Sequence, residues 1–505
     1  MKKQKKMSNN KRRIIGFAIT ITVITLCTVA YSIIYVRTKK TDIDSVSQVV
    51  ETKASNDGDA EIQDKVYTTL RPPEKSEVAH AGKGISEEAN VGRIDQQLEV
   101  VTAGENPTPT KKAYKQWIRD FSYEDAINDY NYFCSLLDDS YPTGGVMERQ
   151  YGIKVSDIKD KFLVGLNEKK ENMTIEAYTT LLYEAAESFR ATSHFGLVNP
   201  EFYQYYQGVF FGADVDKDST TKKALNNKKG RDIYNHFLLY GGGPWRGEDK
   251  KPPFRQRGSD PGETFFEILD DNIAYIGIPT MFSNEVAEKD WERFDKFYKD
   301  ITDYTNLIID ITGNPGGSDW YWLYNVFKPN IDKPVKRVDY CFMKQSPLNI
   351  EYAEEQVNGF QNLAVEIEEA YRLPRVNPDD IKMFDRLYVL EHTIFPRELG
   401  KKTYDGNIYL LIDEGVYSAS ENFAVFCKTT GFATVVGRNS GGDGIGLAPM
   451  LVALPYSGLL LQYCTLYGMN PDGSNNEEFG TTPDYISEAG ETPLDTCLRI
   501  IRSKQ

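Results

Sequence analysis

From about Thr264 onward, short apolar runs bounded by turn residues alternate with longer amphipathic stretches. That alternation restricts this part of the chain to an α/β architecture. "NIAYIGIPTM" at 272–281, "NLIIDIT" at 306–312, "NIYLLID" at 407–413, "FATVVG" at 432–437 and "SGLLLQYCTLYG" at 457–468 read as strands. Between the first two lies "NEVAEKDWERFDKFYKDITDY", with Ala287, Trp291, Phe294, Tyr298 and Ile301 spaced as one face of a helix. The segment Asp413–Gly431 reads as a turn followed by a second helix, and residues 350–395 read as a helical insertion. The α/β domain is therefore assigned to 263–505.

The rest of the chain divides by composition. Residues 113–200 carry helical periodicity from "YKQWIRDFSYEDAINDYNYFCSLL" through "TIEAYTTLLYEAAESFRATSHFG". Residues 201–262 are polar and punctuated by turn residues, and two readings stay open for them: a small β module or an elaborated loop. Residues 37–112 hold little apolar surface to bury, which predicts a disordered tether. Ahead of it, Ile14–Val36 is an uncharged apolar run. As a helix it would reach roughly 34 Å, enough to cross a bilayer core of about 30 Å. Lysines and arginines crowd its N-terminal side at 1–13, so the run is expected to be an uncleaved anchor with a cytoplasmic basic tail. The remaining chain would then lie outside the cell. A net charge of −15 excludes a nucleic-acid partner that is bound through a basic face. The six cysteines lack C-x-x-C spacing, so no metal or other cofactor is expected, and the oligomeric state is not legible.

Three pieces of sequence can carry chemistry. Ser418-Ala419-Ser420-Glu421 stands at a helix start, where a serine can cap the helix in a capping box or act as a nucleophile beside the exposed amides. Gly313-Asn314-Pro315-Gly316-Gly317 follows a buried strand and serves either as a tight turn or as a loop whose amides approach a substrate oxygen. Histidines are few: His80, His194, His236 and His392. His194 sits where the helical region ends.

Taken in order, these pieces resemble the C-terminal processing (tail-specific) peptidases. "YSASENFAVFCKTTGFATVVGRNSGGDGIG" is similar to the family's nucleophile region, and "LIIDITGNPGG" to its D-x-R-x-N-x-G-G segment. "TSHFGLVNP" resembles its D-G-H-T element, and "FGTTPDYI" its late G-x-x-P-D-I segment. The departures are informative. The general-base lysine of the lysine-dyad branch is replaced by Asp443, the usual arginine is missing from Asp310-Ile311-Thr312, and no PDZ domain follows the histidine element. The chain resembles instead the tricorn core protease branch, in which a histidine and a late glutamate serve the nucleophile.

That resemblance implies a crotonase-like spiral of β-β-α units for the α/β domain, with an N-terminal helical subdomain. It also implies a serine endopeptidase acting on polypeptides through an acyl-enzyme. Ser418 would be the nucleophile and His194 its base. Glu477 would orient the imidazole, directly or through Ser193 or a water, with its neighbour Glu478 as a substitute. Gly316 or Gly317 together with Ala419 would form the oxyanion hole, and Asp310 and Ser420 would support the site. The missing arginine and lysine leave a catalytically inactive binding or carrier protein of the same fold as the alternative.

Overall fold

In the computed structural model, six strands form the central sheet in the order Tyr485–Ile486, Thr434–Gly437, Asn407–Ile412, Asn306–Asp310, Ile273–Gly277 and Phe265–Asp270. All neighbours run parallel except the last pair. Residues 68–70, 116–212, 219–245, 262–270 and 272–504 are described. The expected anchor at 14–36 and the basic tail lie outside them, as does most of the tether. Among the described residues no helix is long and apolar enough to cross a membrane.

A parallel sheet covered on both faces needs strands that are apolar throughout, which is why these runs were readable. Alternate residues serve opposite cores. Leu307, Ile309, Leu410, Ile412 and Val435 pack with the helices Asn284–Asp300 and Ala419–Thr430. Ile308, Tyr409, Leu411 and Val436 pack with the C-terminal helix Pro493–Ser503. Local chemistry starts the first of these helices where the sequence indicates: the Ser283 hydroxyl accepts from the Val286 amide. Ala287, Phe294 and Tyr298 are buried along it, while Trp291 is only partly so.

The parallel strands end in register, with Gly277 beside Asp310, Asp310 beside Leu411, and Ile412 beside Gly437. Their following loops therefore meet at one edge of the sheet, the usual place for a site in such folds.

Two further sheets correct the sequence reading. Residues 350–395 are not simply a helical insertion, because Arg386–Ile394 is a long strand paired antiparallel with Val335–Met343. Leu466–Met469 pairs with the latter on its other side. Thr68–Leu70, inside the expected tether, pairs parallel with Arg386–Ile394. "SGLLLQYCTLYG" is not one strand of the central sheet. It breaks into Leu460–Tyr463, which pairs with Met450–Ala453 and Gly196–Leu197, and Leu466–Met469 in the second sheet.

Where residues 201–262 are described, they are mostly helical, at Pro200–Gly212, Thr220–Leu225 and Lys228–Tyr240. Tyr203, Leu225, Ile233, Tyr234 and Phe237 join the core of the preceding helices. Neither a β module nor a loop therefore describes them. The polar composition belongs to the outer faces, while the aromatic residues supply the inner one.

Candidate active site

Ser418 is the last residue before the helix Ala419–Thr430, yet it does not cap it. Its φ of 58° and ψ of −123° turn the chain sharply between strand and helix, and its side chain makes no capping hydrogen bond. A non-glycine residue held there costs on the order of 1 kcal/mol or more, so the surroundings must impose it. They do so through the Ser418 amide, which donates to Gly442 O at 3.1 Å, and the Ser418 carbonyl, which accepts from Asn422 N at 2.8 Å. The capping-box reading of Ser418 and Glu421 is thus corrected. The turn presents the hydroxyl outward, as in nucleophile elbows, and the Glu421 side chain is turned inward and fully buried.

His194 reaches this hydroxyl from the helical part of the chain. Its Nε2 lies 3.1 Å from Ser418 Oγ. The backbone delivering it is also forced: Arg190, Ala191, Ser193 and His194 all have φ between 50° and 60°. Three contacts hold the segment. Cys464 N donates to Ser193 O at 2.7 Å, Tyr141 OH donates to Thr192 O at 3.2 Å, and the Thr143 and Ser193 hydroxyls meet at 2.9 Å. Phe195 then locks into stacked and edge contacts with Phe189, Tyr141 and Phe133.

The acid seated on the other imidazole nitrogen is Asp443. Its Oδ2 is 2.5 Å from His194 Nδ1, and both side chains are nearly buried. Glu477, which the resemblance put there, instead accepts from Tyr417 OH at 3.1 Å. Glu478 pairs with Arg149. Tyr417 OH also lies 3.3 Å from Asp443 Oδ2, and its ring lies against His194 with centroids 5.0 Å apart. Burial, then the Glu477 and Asp443 charges, hold the Tyr417 phenol well above its ordinary pKa, so it keeps its single proton, for which the two carboxylates compete. Ser193 bonds to Thr143, so its hydroxyl turns to a structural partner.

Asn314 ties the glycine loop to the nucleophile turn. Its side-chain oxygen accepts from Gly316 N at 3.0 Å and from Ser420 Oγ at 2.6 Å. Its amide nitrogen donates to Ile278 O, and its backbone carbonyl accepts from Tyr417 N. Ser420 is thereby tied to the glycine loop. The Gly316 amide is committed to Asn314, whereas Gly317 N and Ala419 N, beside Ser418 in the chain or the loop, make no hydrogen bond among the described residues. Gly317 has no room for a side chain, since a Cβ would stand 1.9 Å from Met281 O. Asp310 lies apart from this group, binding Tyr275 OH at 2.6 Å and Thr312 N at 2.8 Å at the strand end.

Sequence reasoning missed the roles of Asp443, Asn314, Tyr417 and Cys464. The available signal for Asp443 was a charged residue flanked by glycines in "SGGDGIG". Those glycines let its loop lie flat: a Cβ on Gly442 would approach Asn476 O to 2.4 Å, and one on Gly444 would approach Asn422 N to 2.4 Å.

Chemically, the arrangement is a hydroxyl, an imidazole in line with it, and a carboxylate behind the imidazole. Such a set can withdraw a proton from the hydroxyl and stabilise the resulting imidazolium.

Residues 272–487 match the family model described as Peptidase family S41. That span contains Ser418, Asp443 and Glu477 but not His194. No curated protein matches the chain by sequence. Among solved structures it is similar to a putative peptidase from Parabacteroides merdae, at 15% identity over 76% of this chain and 96% of that one, with a TM-score of 0.43. It is similar to mature CPAF complexed with lactacystin at 14% identity, over 76% and 97% of the two chains, with a TM-score of 0.44. The photosystem II D1 C-terminal processing protease matches at 16% identity over 47% and 52%, with a TM-score of 0.29.

Proposed function

We propose that this chain, whose residues 272–487 match the model of peptidase family S41, is a serine peptidase that cuts polypeptides through an acyl-enzyme on Ser418. The observation that carries the reading is His194, set between Ser418 Oγ at 3.1 Å and Asp443 Oδ2 at 2.5 Å. Asp443 keeps the Nδ1 proton in place, leaving Nε2 as the base for the serine proton. Ser418 Oγ attacks the peptide carbonyl. His194 then returns the proton to the leaving amine, and water repeats the sequence to release the acid. The amides of Gly317 and Ala419 are the candidate donors to the oxyanion, each contributing about 3 kcal/mol in comparable sites.

The finer fold, a crotonase-like spiral, is part of the same reading and rests on the sequence resemblance. The reading also takes the enzyme as a single-pass protein with its catalytic part outside the cell, supported by the uncharged run at 14–36 and the basic residues before it.

The test treats the full-length chain, purified in mild detergent, with a fluorophosphonate, followed by peptide mapping. The adduct is expected on Ser418 and is expected to vanish in Ser418→Ala and His194→Ala. No adduct on a folded chain would overturn the peptidase reading and favour a carrier.

A further inference from the structure

Behind the catalytic histidine lies a third group that the peptidase reading leaves unused. Cys464 Sγ is 3.4 Å from His194 Nδ1, the nitrogen that also faces Asp443 Oδ2 at 2.5 Å. One nitrogen, one carboxylate oxygen and one sulfur thus lie within 4.8 Å of one another. His194 and Cys464 are buried, and the Asp443 side chain is only 6% exposed. Separations near 3.4 Å are those of neighbouring ligands around a tetrahedral zinc ion, whose bonds are about 2.0 Å to nitrogen or oxygen and 2.3 Å to sulfur. The Nδ1–Sγ pair already has this spacing. The Asp443 carboxylate would swing out by about 1 Å to admit the ion.

We propose that His194 Nδ1, Asp443 and Cys464 form an inhibitory zinc site that turns the peptidase off by capturing the back of its general base.

The mixed soft and hard donor set suits zinc better than magnesium or calcium, which take oxygen ligands. Charge also balances: a thiolate and a carboxylate neutralise the divalent ion in a nearly buried place. A tyrosine stands behind the set, with Tyr417 OH 3.3 Å from Asp443 Oδ2 and bonded to Glu477 on its other side. Outer partners of this kind hold a ligating carboxylate in orientation.

The consequence for Ser418 follows from tautomers. When zinc takes Nδ1, the imidazole proton is held on Nε2, and the thiol proton leaves to solvent. An Nε2–H donates to Ser418 Oγ instead of accepting from it, so the hydroxyl has no base. No spacing in the sequence discloses the set, because its members come from positions 194, 443 and 464 and meet only after folding.

This inference rests on the peptidase reading for its effect but not for its binding, and the two are measured separately. The full-length chain is titrated with Co²⁺ as a spectroscopic stand-in, and then with Zn²⁺ in competition against a chromophoric chelator. Fluorophosphonate labelling of Ser418 is followed in the same samples, with each variant referred to its own metal-free rate. Expected are a thiolate-to-cobalt charge-transfer band, loss of labelling on adding Zn²⁺, and recovery with EDTA. Cys464→Ser should abolish the band and weaken Zn²⁺ inhibition by at least about 10- to 100-fold, the range for losing a mere outer partner of a zinc ligand. His236→Gln, away from the cluster, should leave Zn²⁺ sensitivity unchanged. Absence of the band, or inhibition that Cys464→Ser does not relieve, overturns the zinc site. A band in a chain whose Ser418 never labels would keep the metal site and remove the peptidase.

Discussion

Replacing Asp443 by asparagine separates the acid the structure seats on His194 from the one that sequence resemblance places there. In the native site Asp443 Oδ2 accepts from Nδ1–H at 2.5 Å and faces Tyr417 OH at 3.3 Å. An asparagine offers two orientations. With its oxygen toward Nδ1 it keeps the tautomer but no longer stabilises the imidazolium. With its amide nitrogen toward Nδ1 it donates, which holds the proton on Nε2 and removes the base. Tyr417 does not restore the first orientation, because it has other acceptors in Glu477 Oε2 at 3.1 Å and Ala191 O at 3.3 Å. Loss of tautomer control in serine triads costs about 10⁴-fold in kcat, or about 5 kcal/mol of transition-state stabilisation. Glu477→Gln keeps an oxygen for Tyr417 OH and leaves His194 and Asp443 in place. It should cost less than about tenfold, the scale of weakening one hydrogen bond. The assay is the second-order rate of fluorophosphonate labelling at Ser418 by intact mass, with thermal unfolding to verify that each variant is folded. An Asp443→Asn rate within tenfold of wild type, or a Glu477→Gln loss equal to that of Asp443→Asn, would refute the assignment.

Two further predictions concern the scaffold. Asn314→Ala removes the partner of Gly316 N, Ser420 Oγ and Ile278 O in a fully buried place, and should lower stability by about 3 kcal/mol, read as a fall in the urea midpoint. Glu421 is fully buried, and burial lifts its carboxyl from 4.5 to about 7. A raised folded pKa means the proton is bound more tightly when folded. Its contribution is therefore complete below the unfolded value and is lost as pH rises through about 7, for a total of about 3 kcal/mol. The stability difference between wild type and Glu421→Gln should track that loss between pH 4.5 and 8 in denaturant titrations, and a flat difference would contradict it.

The central strands were legible because burial on both faces leaves continuous apolar runs such as Leu307–Ile309. Val335–Met343 was not, because it carries Lys336, Arg337 and Asp339. Arg337 and Asp339 are nevertheless buried, forming an ion pair at 2.6 Å, and Arg337 also donates to Asn422 Oδ1 on the nucleophile helix. Pairing of this kind lets charged residues occupy an inner strand, and it cannot be read without knowing the partner. At the site, Ser418 and His194 were reachable because motif order points to them. Asp443 was visible only as a missing lysine. Its approach to Nδ1 depends on a glycine loop passing against Asn476 and Asn422, a three-dimensional fact with no local signature. Glu477, which the resemblance set on the histidine, accepts from the hydroxyl of the tyrosine that faces Asp443.

Ser418 and His194 adjoin different cores: the neighbouring Ala419 packs in the one with Phe423 and Val435, and the neighbouring Phe195 in the one with Tyr463. During synthesis the histidine emerges long before the serine, and Cys464, whose amide pins the histidine turn, emerges later still. A chain that stops before Cys464 therefore lacks the amide that pins the histidine turn.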